Sequence, residues 1–152
     1  MTRLGKAFIT GVMLVAPSIG LVAAAEAQKP IRIGASLSQT GAFAAGGQAQ
    51  LRGYQLRVKH MNDKGGVLGR KLELVVEDDQ SQSATAIRIY ERLITQEKVD
   101  LALGLYGSPL VEPVANVTEK YGMPMVASSG ATTSIFKKGR RFIFMVPWSQ
   151  RP

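Results

Sequence analysis

The stretch that decides the fold runs from residue 99 to residue 127 and reads VDLALGLYGSPLVEPVANVTEKYGMPMVA. Its first part, residues 99–105, is almost wholly apolar and predicts a short buried strand. Ser108 and Pro109 then predict a helix start, because serine can cap free backbone amides and proline suits the first helical position. A Gly-Met-Pro turn stops that helix ahead of a further apolar strand at 125–127. Strand, helix and strand in this order are the repeating unit of a parallel sheet.

The same alternation continues on both sides of this stretch. Strands are predicted at 31–36, 72–76, 99–105, 125–127 and 142–146. Helices are predicted at 48–64, from Ser81 or Ser83 as a cap, and from Ser108 to Gly122. Helical spacing predicts the core-facing side chains Leu51, Tyr54, Val58, Met61, Ala84, Ile87, Tyr90, Ile94, Val111, Val114, Val117 and Tyr121. The pattern predicts an α/β fold, a parallel Rossmann-like sheet of strand order 2-1-3-4-5 flanked by helices on both faces.

A sheet of this kind binds ligands beyond the carboxyl ends of its strands, where the strand order reverses. The loops to consider are therefore 37–47, 105–109 and 128–134. The last of these contains SSGATTS, which is small and rich in hydroxyl groups, and Ser108 opens a helix on the neighbouring strand. Hydroxyls and free amides at helix starts suit a carboxylate, although ordinary caps and turns have the same composition.

The first 27 residues have the pattern of a secretory signal peptide. Arg3 and Lys6 precede a mostly apolar, uncharged run at 7–22, and Ala25 and Ala27 form an A-x-A site. Cleavage is predicted after Ala27, with Ala25 as the alternative. A membrane anchor is the competing interpretation, but the run is short for a span of about 20 residues and contains glycine and proline. We therefore expect a 28–152 product that is exported to the periplasm without membrane insertion.

Composition narrows the function classes. The chain has 152 residues, enough for one domain, and no cysteine, which excludes disulfides, zinc–thiolate sites and cysteine nucleophiles. Its formal net charge is +8, with the densest basic run at 137–141. That run contains no aromatic residue that could stack on a base, so a solvated loop is favoured over a nucleic-acid surface. No metal site and no cofactor are predicted.

Several short motifs together resemble one protein family. They are IRIG at 31–34, LSQTG at 37–41, RGY at 52–54, NDKGGVLGR at 62–70, DDQS at 78–81, GLYGSPLVEP at 104–113 and SSGAT at 128–132. In this order and spacing they resemble the first lobe of leucine/isoleucine/valine-type periplasmic binding proteins, the class I receptors of ABC importers. The resemblance covers nearly all of the chain after the signal segment.

The resemblance implies a ligand site and partners. In that family the first lobe holds the carboxylate and amino groups of an amino acid. This implies carboxylate donors at Ser108 and Thr132, a carbonyl acceptor at Gly130 and a contact with the ligand side chain at Phe43. The implied partners are a small ligand, such as a branched-chain amino acid, amide or acid, and ABC permease subunits. Such receptors have two lobes, so the resemblance also implies that residues 28–152 are an incomplete, first-lobe portion.

Three other functions compete with this interpretation. Gly107-Ser108 on a strand-to-helix turn suggests a hydrolase nucleophile, but the G-x-S-x-G motif is absent and the single histidine, His60, falls within a predicted helix. We therefore predict that the chain is not an enzyme. Asp78 and Asp79 could suggest a receiver or magnesium site, and are interpreted instead as acids that orient the following loop. The alternative from a different class is a ligand-sensing receptor or regulator domain of the same fold.

Overall fold

The computed structural model describes residues 28–130 and 132–146, so the predicted signal segment lies outside the described residues. Nine elements follow in the order β1 (Ile31–Leu37), α1 (Ala44–Asp63), β2 (Leu72–Asp78), α2 (Ser83–Thr95), β3 (Leu101–Leu103), α3 (Ser108–Tyr121), β4 (Met125–Ala127), α4 (Thr133–Lys137) and β5 (Ile143–Met145). Strands and helices alternate throughout, as the sequence predicts.

The five strands form one parallel sheet in the order β2-β1-β3-β4-β5, which confirms the predicted topology. The register of β1 with β2 covers seven residue pairs, from Ile31 with Leu72 to Leu37 with Asp78. The register of β1 with β3 covers only two pairs, Ile33 with Leu101 and Gly34 with Ala102. The chain moves outward from β1 in both directions, so the strand order reverses beside β1.

The helices divide between the two faces of the sheet. Right-handed crossovers to opposite sides of β1 place α1 on one face and α2 on the other. α3 packs against α2, β4 and β5, and α4 packs against α3. The main core lies under α2 and α3, and it includes the fully buried side chains Tyr90, Leu110, Val111, Val114 and Met125.

α1 begins at Ala44, four residues before the predicted start, because its glycines serve close packing and not a loop. Gly41 has φ 82°, and its carbonyl accepts the Ala44 N–H at 3.2 Å. Any Cβ at Gly47 would overlap the carbonyl group of Ser38, so glycine lets the helix lie directly on the end of β1. The predicted inner face of α1 is right, since Leu51, Tyr54, Val58 and Met61 are all half-buried.

Other local predictions are wrong. Neither Ser81 nor Ser83 caps α2, because the Ser83 hydroxyl donates to the Pro109 carbonyl and Gln82 occupies the cap position. Ala84 is exposed, because the buried stripe of this helix is Ala86, Ile89, Tyr90 and Leu93. Tyr121 is 40% exposed at the end of α3, where Gly122 adopts φ 63° and turns the chain away. Residues 99, 100, 104 and 105 flank β3 without belonging to it.

Candidate ligand-binding site

The structure brings Ser108 and Thr132 together at the carboxyl ends of β3 and β4. Ser108 is the first residue of α3, and Thr132 immediately precedes α4. The Thr132 N–H donates a hydrogen bond to the Ser108 hydroxyl oxygen at 3.3 Å. A backbone amide and a hydroxyl group therefore face each other between the two loops, at the edge where a parallel sheet binds ligands.

Ser108 opens α3 without capping it, contrary to the prediction. Gly107 is the cap residue, with φ 90°, and its carbonyl accepts the amides of Leu110 and Val111 at 3.1 Å. Pro109 has no N–H, so the Ser108 amide is the one donor of this first turn that meets no acceptor among the described residues. A free amide beside a hydroxyl at the positive end of a helix is suited to a carboxylate.

Gly130 lies buried beneath the hydroxyl-rich loop. A Cβ at this position would lie 2.7 Å from Cγ2 of Val111, a core residue of α3. Only glycine therefore lets the loop after β4 pass this close to α3 and present Thr132 beside Ser108. Ala131 lies outside the described residues.

Phe43 and Tyr106 form an aromatic pair next to these polar groups. Their ring centroids lie 6.3 Å apart at an interplanar angle of 60°, an edge-to-face arrangement. Phe43 is half-buried, whereas Tyr106 is 38% exposed. The Tyr106 backbone forms an isolated parallel β-bridge with Ser129 in the loop after β4. The Tyr106 ring covers Gly46, where any side chain would overlap it. Sequence analysis assigns a ligand contact to Phe43 but not to Tyr106, although an aromatic residue at a strand end, two residues before Ser108, was a usable signal.

A half-buried polar network lies under the two loops and was not predicted. The Tyr54 hydroxyl donates to the Gly104 carbonyl at 2.9 Å and lies 2.7 Å from the Ser128 hydroxyl. The Gln50 amide nitrogen lies 2.8 Å from both of those oxygens, and its carbonyl accepts from Ser129 at 3.1 Å. Burial raises the pKa of Tyr54, while its hydrogen bonds with Ser128 and Gln50 act in the opposite direction. Tyr54 is therefore a neutral phenol at neutral pH.

Asp79 lies at the end of β2 and joins it to β1. Its carboxyl group is fully buried and accepts hydrogen bonds from the hydroxyls of Ser36 at 2.6 Å and Ser38 at 2.5 Å. It also accepts the Ser81 N–H at 2.9 Å, and the Ser81 hydroxyl in turn accepts the Phe43 N–H at 3.0 Å. The loop that carries Phe43 is therefore fixed to the end of β2.

Asp78 organises the same loop from its outer side. Its carboxylate accepts the Thr40 hydroxyl at 2.7 Å and the amides of Gln39 and Gln80 at 2.8 Å. Burial raises the pKa of Asp78, but these hydrogen bonds outweigh burial and hold the pKa below its ordinary value. Both acids therefore orient the loops that follow β1 and β2. Among the described residues, no group of three or more metal-ligating side chains is present.

The remaining sequence motifs, the single histidine and the basic run, lie outside this candidate site. His60 is exposed on the last turn of α1, and the described hydrogen bonds give Ser108 no neighbouring base. In the basic run, Lys138 pairs with Glu112 at 2.6 Å, and Arg141 lies 3.8 Å from Glu119. Both acids belong to α3, so these cations attach an exposed loop to that helix.

Comparison with known proteins identifies the family. Residues 30–151 match the family described as periplasmic binding protein. The chain belongs to the periplasmic binding protein family. It is 30% identical over 124 residues to a Leu/Ile/Val-binding protein homologue of Brucella suis, an alignment that covers 82% of this chain and 31% of the relative. The resemblance to leucine/isoleucine/valine-type receptors is thereby confirmed.

Solved structures of periplasmic binding proteins agree with this assignment. A branched-chain amino acid transporter substrate-binding protein from Streptococcus pneumoniae, in complex with isoleucine, superimposes with a TM-score of 0.73 at 31% identity. It covers 76% of this chain, which in turn covers 33% of that one. A solute-binding protein from R. palustris in complex with 4-hydroxybenzoate gives a TM-score of 0.66 at 28% identity, with 78% of this chain and 31% of that chain covered.

The chain spans about a third of the length of these relatives, between 31% and 37% of the proteins compared. The relatives are named as solute-binding proteins and not as enzymes. Within the part of the chain that the structure describes, no helix combines the length and the apolar character needed to cross a membrane.

Proposed function

We propose that this chain is a ligand-binding lobe of an extracytoplasmic solute receptor that serves an ABC importer for branched-chain amino acids or related small acids and amides. The observation that carries the proposal is the hydrogen bond between the Thr132 amide and the Ser108 hydroxyl at the strand ends. A ligand carboxylate can take the place of this contact and accept from both groups. It also gains the Ser108 amide, which meets no acceptor among the residues that the structure describes, so one weak hydrogen bond is exchanged for charge-assisted ones.

The aromatic pair supports an apolar ligand side chain. Phe43 and Tyr106 provide rings beside the proposed carboxylate position, and Tyr106 lies only two residues before Ser108, a span of about 7 Å along an extended chain. A branched aliphatic side chain or an aromatic ring could each pack there. We assign Gly130 the remaining role, an acceptor carbonyl for a ligand ammonium group.

Partners and location are part of the same proposal. The relatives include solute-binding components of transporters, and we propose permease subunits as the partner of this chain also. We propose delivery to the periplasm through the signal segment at 1–27, which is followed by cleavage after Ala27. A receptor of the sensing type would instead be recovered with a kinase or regulator, so copurification with permease subunits separates the two functions.

Nuclear magnetic resonance titration of the chain with leucine tests the site directly. The described residues contact a ligand from one side only, so we expect a dissociation constant on the order of millimolar. The amide signals of Ser108 and Thr132 should shift together and saturably. Glycerol, which has hydroxyls but no carboxylate, is the matched control compound. Shifts confined to other regions, or equal shifts with glycerol, would contradict the assignment.

A pair of neighbouring variants tests the role of Thr132. We assign the Thr132 hydroxyl, besides its amide, a hydrogen bond to the ligand carboxylate. Removing a hydrogen bond to a charged group costs about 1.5–3 kcal/mol when water is excluded, so Thr132→Ala should weaken binding about tenfold or more. Thr133→Ala is the matched control, because Thr133 is also exposed and its hydroxyl makes no hydrogen bond to the described residues. Ser38→Ala is unsuitable as a control, since Ser38 is fully buried and bound to Asp79. Equal losses in the two threonine variants would remove Thr132 from the site.

A further inference from the structure

We infer that Gln50 and Tyr54 are positioning residues that hold the two proposed ligand loops in register. The inference rests on the proposed function in one respect, namely that the register serves to keep Ser108 and Thr132 at binding distance. The geometry itself concerns α1 and the chain that leaves β3 and β4.

The Gly104 carbonyl is the first point of attachment. It accepts the Tyr54 hydroxyl at 2.9 Å and the Gln50 amide at 2.8 Å, just after β3 ends. Among the described residues, no backbone amide donates to that carbonyl, whereas the Gly104 N–H donates to the Val126 carbonyl at 2.7 Å. Two side chains of α1 thus supply the hydrogen bonds to this carbonyl that a neighbouring strand would otherwise supply, at the point where the chain turns toward Ser108.

The loop after β4 is the second point of attachment. Ser128 binds Tyr54 and Gln50, and Ser129 donates to the Gln50 carbonyl. Each of the two α1 side chains therefore reaches both loops, although the loops come from separate strands. Gln50 and Tyr54 are one helical turn apart, and the Gln50 amide nitrogen lies 2.5 Å from the Tyr54 hydroxyl oxygen.

The network is specific in its chemistry. A phenylalanine at position 54 would fill the same volume but leave the Gly104 carbonyl and the Ser128 hydroxyl with one partner fewer. Half-burial excludes much of the water that could compensate. An apolar residue at position 50 would remove contacts to both loops at once. The two side chains act through the loops and touch no proposed ligand atom.

Two amide protons report the register of the loops. The Gly104 N–H donates to the Val126 carbonyl, and the Thr132 N–H donates to the Ser108 hydroxyl. Each hydrogen bond therefore connects the chain that follows β3 with the chain of β4 and its loop. The Asp100 N–H, which donates to Arg32 at the opposite end of the sheet, is the reference. Hydrogen exchange at these amides measures local opening and needs no ligand.

Tyr54→Phe is the test variant, and Tyr121→Phe is the control because Tyr121 is exposed and outside the network. We expect Tyr54→Phe to accelerate exchange at Gly104 and Thr132 by roughly three- to tenfold, with Asp100 unchanged, and Tyr121→Phe to alter none of the three. Equal acceleration at all three amides would mean a general loss of stability. No acceleration would mean that the Tyr54 hydroxyl does not hold the two loops in register. Either result overturns the inference.

Leucine binding is measured on the same samples. A positioning role predicts weaker binding by Tyr54→Phe, by about the same factor as the acceleration of exchange at Thr132. Unchanged affinity with faster exchange would overturn the positioning role while leaving the proposed function intact. If the unsubstituted chain binds no carboxylate ligand, the proposed function fails, and the exchange data alone decide whether Gln50 and Tyr54 hold the loops.

Discussion

The buried carboxyl group of Asp79 offers the sharpest test of how the fold supports the site. Its two oxygens accept from Ser36, Ser38 and Ser81, and both Ser36, in β1, and Ser38, just after it, are fully buried. Asp79→Ala would therefore leave two buried hydroxyls and one backbone amide without their acceptor. Asp79→Asn would keep one acceptor oxygen and place an amide group where the other oxygen was.

The magnitude follows from these contacts. A buried donor without an acceptor costs about 1–3 kcal/mol, and hydroxyls recover part of this by rotating to other partners. Removing a buried acid also returns the free energy spent on its desolvation. We therefore expect Asp79→Ala to lower the free energy of unfolding by about 3 kcal/mol and Asp79→Asn by about half as much. A domain is stable by only about 5–15 kcal/mol, so the first loss is large.

Urea denaturation followed by far-ultraviolet circular dichroism measures these losses, with linear extrapolation to water. Asp63→Asn is the matched control, since Asp63 is exposed and makes one ion pair with Lys59 within α1. A pair of that kind contributes little to stability, because solvent screens two exposed charges. If Asp79→Ala cost no more than Asp63→Asn, the carboxyl group would not be joining the ends of β1 and β2, and our account of how Phe43 is held would be wrong.

Three further predictions concern the site, acid stability and export. Gly46→Val should displace the Tyr106 ring and lower the free energy of unfolding, and adding Tyr106→Ala should restore space and recover part of that stability; urea denaturation of both variants would show no rescue if the two residues do not compete for one volume. Because the folded-state pKa of Asp78 is lowered, its stabilisation is complete above the unfolded-state pKa of about 3.9 and is lost as pH falls through the folded value. Urea midpoints should therefore fall more steeply below about pH 4 in the unsubstituted chain than in Asp78→Asn, and parallel curves would contradict this. Intact-mass measurement of periplasmic material should give a product that begins after Ala27, and a mass that retains Met1 would exclude cleavage.

The sequence was sufficient for the topology and for the loops that follow its strands. Strand–helix alternation and the Ser108-Pro109 start predicted the sheet order, and Ser108, Gly130, Thr132 and Phe43 lie in the loops at the predicted edge. The loops follow from the topology, whereas the individual site residues came from the family resemblance, and their ligand contacts stay a prediction. The helix caps failed, because the serines concerned bind partners distant in sequence instead of their own helix.

Tyr54 and the pair formed by Gly46 and Tyr106 could not be predicted in the same way. Tyr54 falls on the inner stripe of α1 at ordinary helical spacing, and nothing in that spacing reveals that its hydroxyl meets residues 50 and 74 positions away. Gly46 resembles a loop glycine until the helix is known to start before it, and only then does the Tyr106 ring define its role. Long-range contacts of single atoms leave no periodic trace in a sequence.

The unequal register of β1 with its two neighbours has a consequence for cooperativity. β1 shares seven residue pairs with β2 and two with β3, so the β1–α1–β2 unit and the units that follow meet along a thin seam. Opening along this seam breaks only two residue pairs of the sheet, but the hydrogen bonds of Gln50 and Tyr54 to Gly104, Ser128 and Ser129 also have to break. Phe43, Gln50 and Tyr54 lie on one side of the seam, and Ser108 and Thr132 on the other. A ligand that contacts both sides would therefore add to these side-chain bonds, and its binding energy would appear as slower separation of the two folding units.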